Sequence, residues 1–523
     1  MKRLLACALA LPLAISMALT AAPAQAASTT TGFQAITIPT PDGVNLTANV
    51  DEPTSPGRHP AIVFISSWGL NDAEYLAQAG ALANAGYTVL SYTPRGFWGS
   101  GGTIQTAGPE DIADVSTVIT WMLAHTTADP AHIGAAGVSY GAGISLIASA
   151  FDPRIRAVAS MSGWSDLQAS LYGDNTRRLQ SVGLLQGIAD LTGKPSPELN
   201  TILSDFWSNT NIPAVEAYAQ VRSAATYESA INANQPAIFM ANAVGDSLFP
   251  PNQLVDFYNG LTTPKHLEFA PGDHAVVEAT GLIGLDNHVW TSVDQWFDHY
   301  LRGQDTAITD QLPVVLRPIT SGGPEYYADW AHTATTTTRY GLGGKDFWTQ
   351  TGSMSSSIPT GWSTTIYTGL DTIADGGVAL LTNAFGAITD STPSIWLPAV
   401  SRVNGAVWTT SSYGSAKNVR GIPKLHVTIK PGSSNGTIVA YLYDVDALGD
   451  AHLITEAPTT WLGATPTHAT SIDLRLPATA YTLPAGHALS LVVDTTDPLY
   501  LGANPLAAPI TFTGSSWLDV PFA

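Results

Sequence analysis

"HIGAAGVSYGAG", residues 132–143, joins a short apolar run to a turn of small residues with one serine, Ser139, at its tip. The run before the serine reads as a buried strand and "AGISLIASAF" after it as a helix, so Ser139 falls on a sharp bend between them. Gly137 and Gly141 flank it in the spacing G-x-S-x-G. A Cβ at either place would obstruct the close crossing of strand and helix, whereas glycine leaves room for it. A serine hydroxyl is a weak nucleophile in water; to react it must be exposed, beside a base, and near N–H donors for an oxyanion. A bend of this kind meets the first need. Taken alone, a Gly-rich strand-to-helix turn is common, and the rest of the chain has to supply the base and the acid.

From about residue 33 to 303 short apolar runs alternate with helical patterns. "AIVFIS", "YTVLSY", "IRAVASMS", "AIFMANA" and "HLEFA" read as buried strands, and "AEYLAQAGALANAG", "DIADVSTVITWMLAH" and "VWTSVDQWFDHYL" as helices with one apolar stripe. This rhythm predicts a parallel sheet covered by helices, an α/β fold of the α/β-hydrolase type. On such a fold the partners of a nucleophilic serine follow in the order acid, then histidine, each after a later strand. Asp246 follows "AIFMANAVG" and His274 follows "HLEFAPGD". His266 opens its strand at the wrong edge of the sheet, and His288 and His299 precede or lie within the final helix. Asp273 competes with Asp246 as the acid by proximity, although its position suits shaping a turn. An aspartate before "PPNQLVDFY" also suits a helix cap or turn.

The oxyanion donors expected on this fold are the N–H after the serine, that of Tyr140, and one from the loop after an early strand, here "ISSWGLND". Trp68 is the first choice for the second donor and Ser67 the next; Trp68 also fits a pocket wall. Between 163 and 235 the alternation fails, and "LQSVGLLQGIADL" and "NTILSDFW" read as helices of a cap inserted over the strand ends. Trp98, Trp164 and Phe206, with Trp68, are then candidates for an apolar substrate pocket, while aromatics in a cap also serve its own packing.

After about 309 helical periodicity gives way to short strands broken by Gly, Pro, Ser and Thr, as in "KLHVTIKPGSSNGTIVAYLYDV", which predicts a β-sandwich over 309–523 packed against a catalytic domain of 27–308 and bordering its pocket. "HTATTTT" and "GSMSSSIPTG" read as loops. The chain opens with Lys2 and Arg3, an apolar run to about Leu19, and "APAQA", the pattern of an export signal over 1–26 cleaved near Ala26–Ala27. A secreted protein, extracellular or periplasmic, without a membrane anchor is expected.

Cys7, within that segment, is the single cysteine of 523 residues, so a thiolate nucleophile or disulfide is not expected in the processed chain. With 21 basic and 41 acidic residues the net charge is −20, a surface that repels nucleic acid and anionic membranes. Neither HExxH, nor GxxxxGK[ST], nor an EF-hand loop is present, and "RGFWGSGG" lacks dinucleotide spacing, so no metal or nucleotide cofactor is implied.

With these residues in place the chain resembles the X-prolyl dipeptidyl peptidase and cocaine esterase superfamily of serine hydrolases. "TPDGVNLTANVDEP" is similar to its opening strands, "GYTVLSYTPRGFWGSGG" to its Arg-Gly loop, "GVSYGAG" to its nucleophile elbow, and "SGWSDLQASLYG" to the entry into its cap. "WFDHYLRG" resembles its last catalytic-domain helix, and "YYADWAH", "LYDVDALGDAHLIT" and "LPAGHALSLVVDTTDP" its C-terminal jelly-roll domain. The resemblance implies a small ester, amide or peptide substrate. It permits an esterase, an Xaa-Pro dipeptidyl peptidase, or a non-catalytic binding protein on the same scaffold, and an intact Ser, Asp and His argue against the last. Thr93 and Trp98 stand where the family usually has Asp and Gly. "ISSWG" lacks the Pro-Tyr whose hydroxyl completes the oxyanion hole in some members, so a hole of backbone N–H groups alone is expected.

Overall fold

The computed structural model describes residues 32–320, 322–384 and 391–523; the expected export signal lies outside the described residues. Strands β1 (Gln34–Pro39), β2 (Asn45–Asp51), β3 (His59–Ile65), β4 (Thr88–Tyr92), β5 (Ala128–Val138) and β6 (Ile155–Met161) are followed by β7 (Arg177–Arg178), a two-residue strand outside the main sheet. Then come β8 (Ala237–Ala243), β9 (Lys265–Ala270), β10 (Val314–Leu316) and β11 (Glu325–Tyr327). Apart from β7 they form one sheet in the order β1-β2-β4-β3-β5-β6-β8-β9-β10-β11, parallel from β4 through β10 and antiparallel at its two ends.

The central strands lack polar alternation because both faces are covered. Ile62 and Phe64 of β3 pack with Ala79 and Leu82 of the helix Leu76–Asn84 and with Val293 and Phe297 of His288–Arg302. Ala61, Val63 and Ile65, which face the other way, join a core with Val115 and Ile119 of Pro109–His125 and Ile144 and Ile147 of Tyr140–Phe151. Successive side chains of one strand thus feed two cores.

Between β6 and β8 the chain runs through the helices Leu179–Thr192, Pro197–Ser208 and Ile212–Gln220, with Leu167–Leu171 before them and Glu228–Asn234 after. These form the helical cap. The short β7 pairs antiparallel with Tyr500–Leu501 and so ties the cap to the C-terminal part.

The C-terminal part is β-rich. Its last strand, Pro509–Phe522, pairs along its length with Thr336–Lys345, Ser363–Tyr367, Lys417–Gly421 and Lys424–Pro431. The short strands β10 and β11, which follow residue 309, pair with the catalytic sheet and extend it beyond β9. One expectation needs correction here. Thr336–Thr338 and Gly352–Ser355 lie in strands rather than loops, because ladder pairing uses the backbone and tolerates polar side chains on an outer face.

The β-rich part packs against the catalytic domain through polar contacts. Arg475 makes two bonds to the Asp256 carboxylate, at 2.7 and 2.8 Å. Asn252 donates to the Leu476 carbonyl at 3.0 Å and accepts from the Ala478 N–H at 2.7 Å. No helix among the described residues is long and apolar enough to cross a membrane.

Candidate active site

Ser139 sits between the end of β5 and the helix Tyr140–Phe151, with φ +55° and ψ −110°. A non-glycine residue adopts such a backbone only when its surroundings impose it. The glycines supply the room. A Cβ on Gly141 would lie 1.9 Å from the Ile65 carbonyl oxygen, and one on Gly137 would lie 2.6 Å from the Gly141 backbone. At Gly143 it would meet the Trp164 ring at 2.7 Å.

Three loops at the same edge of the sheet converge on the serine. His274, after β9, has Nε2 at 2.8 Å from Ser139 Oγ, and its Nδ1 lies 2.9 Å from Asp246 Oδ2, after β8. The other oxygen of Asp246 accepts the N–H groups of Leu248 and Phe249 at 2.9 and 2.7 Å. Asp246 is therefore both a turn aspartate and the partner of His274. Asp273, the rival, does not reach the His274 ring nitrogens: its Oδ1 accepts from Ser247 and His274 N–H at 2.8 Å each. Burial and the charge of Asp246 push its pKa up to about 6. His266 lies elsewhere, paired with Glu268 at 3.1 Å, and Phe249 stands edge-on to the His274 ring.

Burial opposes a charged His274, but the charge and hydrogen bond of Asp246, with the charges of Glu278 and Asp273, outweigh it and raise its pKa. The imidazole is thus equipped to hold a proton taken from Ser139 Oγ.

On the oxyanion side, the Ser67 N–H is committed to Glu74 at 2.7 Å, and the Ser67 hydroxyl to the other Glu74 oxygen at 2.6 Å. Glu74 is buried, which pushes its pKa up to about 7. Of the two candidates in that loop, Ser67 thus has its N–H engaged. The Tyr140 N–H, at the first helical position, has no acceptor within its helix. The Tyr140 hydroxyl is held by Asp111 at 2.8 Å and accepts from the Ala107 N–H, so it anchors the start of the helix from below.

Over Ser139 the cap leaves a hollow with a cavity volume of about 110 Å³. Trp68, Trp164 and Phe206 line it, as expected. Trp98 does not: it is 49% exposed, and its indole N–H donates to the Gly69 carbonyl at 2.8 Å. Its backbone lies at φ +46°. Phe206 serves the cap core as well, in contact with Tyr172 and Trp207. The residues lining this hollow all lie between 68 and 249, so the β-rich part does not border it.

Sequence reasoning missed Glu74, Asp111, Glu278 and Phe249. Each acts through tertiary contacts that no local motif announces. Leu171, Val182, Leu203 and Val215 of the cap also line the hollow.

The X-Pro dipeptidyl-peptidase (S15 family) model matches residues 42–276, and the X-Pro dipeptidyl-peptidase C-terminal non-catalytic domain matches 306–517. The two models together span most of the chain, which belongs to the X-Pro dipeptidyl-peptidase (S15) family of serine hydrolases. Among solved structures of superfamily fold, an alpha-amino acid ester hydrolase superposes with TM-score 0.75 at 15% identity, over 96% of this chain and 100% of that one. An aminopeptidase from a marine sediment Thaumarchaeota archaeon gives 0.72 at 14%, over 96% and 98%. A CocE/NonD family hydrolase from Staphylococcus aureus gives 0.72 at 11%, over 94% of each. The acyltransferase DrtE of Aspergillus calidoustus is 26% identical over 245 residues, 41% of this chain and 79% of that protein.

Proposed function

We propose that this serine hydrolase cleaves an ester or amide through an acyl-enzyme on Ser139. The observation that supports this most is the unbroken chain Ser139 Oγ, His274 Nε2, His274 Nδ1, Asp246 Oδ2, with both links under 3 Å. His274 Nε2 takes the hydroxyl proton as Oγ bonds to the substrate carbonyl carbon. The resulting oxyanion is met by the N–H groups of Tyr140 and Trp68, a hole made of backbone alone. Collapse breaks the bond to the leaving group, which departs with the proton from His274. Water then attacks the acyl-enzyme while giving its proton to His274, and the acid leaves as Ser139 recovers that proton. Asp246 holds the imidazole in the tautomer that presents a bare Nε2 to the serine.

A second reading, release of Xaa-Pro dipeptides, draws on the family match. A panel of p-nitrophenyl esters beside Xaa-Pro p-nitroanilides on the purified protein tests both. Intact-mass analysis after a fluorophosphonate should show one adduct that Ser139→Ala abolishes; an adduct persisting in the variant would move the nucleophile elsewhere. For the site of action we infer export, supported by the leader-like segment at 1–26. Recovery of protein beginning at Ala27 outside the cytoplasm is the expected result.

A further inference from the structure

We propose that the hollow over Ser139 is an acyl chamber for an extended aliphatic chain, and that the preferred substrates are esters or amides of medium-length fatty acids. This inference rests on the hydrolase reading above and gives that site its substrate class.

The walls are the apolar faces of the cap's own helices. Val182 comes from Leu179–Thr192, Leu203 and Phe206 from Pro197–Ser208, and Val215 from Ile212–Gln220. Val182, Phe206 and Val215 also make the cap's small core, with Tyr172. In a protein interior such faces close on one another at crystal-like density, and the cost of an unfilled hollow grows with its volume. Here the same side chains also line a hollow over the serine. An apolar hollow of this kind stays dry and regains its lost contacts when an apolar ligand fills it.

Several polar groups of the walls are already engaged, while the buried Thr106 hydroxyl has no partner among the described residues. The Trp68 and Trp164 indole N–H groups donate to the carbonyls of Leu185 and Arg222, at 2.8 and 2.7 Å. Gln186 accepts from Trp207 Nε1 at 2.7 Å, and the Tyr140 hydroxyl belongs to Asp111. Glu216 is the one carboxylate among the wall residues. A peptide lying in the chamber would need partners for its N–H and C=O groups, and burying them unmatched is costly. An alkyl chain needs only surface. Because the walls are drawn from three cap helices beyond Ser139, an acetyl group leaves most of them untouched.

The test is a series of p-nitrophenyl esters from acetate to decanoate, beside Ala-Pro p-nitroanilide, on the full chain. Each methylene that enters the chamber should raise kcat/KM by about fourfold, with the maximum near octanoate. Leu203→Trp and Val215→Phe fill the hollow from different helices, and each should lower the octanoate-to-acetate ratio at least tenfold. Using the ratio cancels losses of folded protein, and if neither variant folds the wild-type series still decides. A maximum at acetate or propionate, with Ser139 still taking a fluorophosphonate, would overturn the chamber and leave the hydrolase. Ala-Pro hydrolysis dominating and lost in Glu216→Gln would mean that the chamber receives an N-terminal amine, which also overturns the proposal. Failure of Ser139 to react with the fluorophosphonate or with any ester would overturn both readings together.

Discussion

The side-chain amide of Asn383 donates to the carbonyl of Gly245 at 2.7 Å, so the β-rich part holds the turn that carries Asp246. The next residue, Ser247, is gripped twice: its hydroxyl accepts from the Leu380 N–H at 3.1 Å, and its carbonyl accepts from the Ser181 hydroxyl of the cap at 2.8 Å. Cap and β-rich part thus meet on either side of the acid. Asn383→Ala should lower kcat by about tenfold through small misplacement of the Asp246 to His274 pair, with KM nearly unchanged. Steady-state kinetics beside a thermal melt checks this; a loss of melting temperature with normal kcat in the folded fraction would make the contact purely structural.

Asp246 and Asp273 differ in what they touch, and their variants should differ accordingly. Asp246→Asn leaves His274 in the wrong tautomer and should reduce kcat by about 10⁴. Asp273→Asn removes an acceptor of two backbone N–H groups and should cost activity far less, alongside some stability. Comparable losses in kcat for the two variants, at equal folded fractions, would reassign the acid.

The pH profile follows from His274. A base must be neutral to accept the Ser139 proton, so activity climbs as pH rises through the histidine's pKa. That pKa is raised above the ordinary 6.5. The acid limb of kcat/KM should therefore fall on the alkaline side of 6.5, measurable with a neutral ester substrate. A limb below 6 would contradict the electrostatics described here.

Asp111, beneath Tyr140, links stability to pH. Burial pushes its pKa from 3.8 up to about 7, against the lowering effect of the Tyr140 hydrogen bond. Between these values the folded chain holds a proton that the unfolded chain releases. The stability from this linkage is present below that window and is lost as pH rises through it. Asp111→Asn cannot titrate, so its melting temperature should gain on the wild type between pH 5 and pH 8, by an amount worth about 1 kcal/mol or more. A pH-independent difference would show that Asp111 keeps one charge state throughout.

Gly141→Ala places a Cβ 1.9 Å from the Ile65 carbonyl oxygen. Backbone atoms on both sides must then part, and a loss of about 3 kcal/mol or more in denaturant unfolding is expected, with activity lost in whatever folds. Near-normal stability and turnover would mean that the helix Tyr140–Phe151 can shift away from β3 without disturbing Ser139.

Much was written in local pattern. The run that became β5, the glycines around Ser139, and the order of Asp246 and His274 after later strands could be read directly, because strand burial, turn sterics and chain order are properties of short segments. So could the change to β structure after the helix His288–Arg302. The chain's pattern did not disclose that the catalytic sheet gains β10 and β11, since two three-residue strands look the same on either side of a domain boundary and only their pairing assigns them. Nor did it separate Trp98 from Trp68 and Trp164: all are indoles near the serine in sequence or topology, yet two line the hollow and one does not. Sequence ranks Trp68 before Ser67, but the engagement of the Ser67 N–H comes from Glu74, a helix-start residue whose carboxylate reaches it only once the loop after β3 is folded. Composition and periodicity act through nearest neighbours along the chain and so determine elements and order. Which N–H is free, which ring faces the hollow and which loop braces Asp246 are decided by contacts between residues far apart in sequence, and those exist only in the tertiary structure.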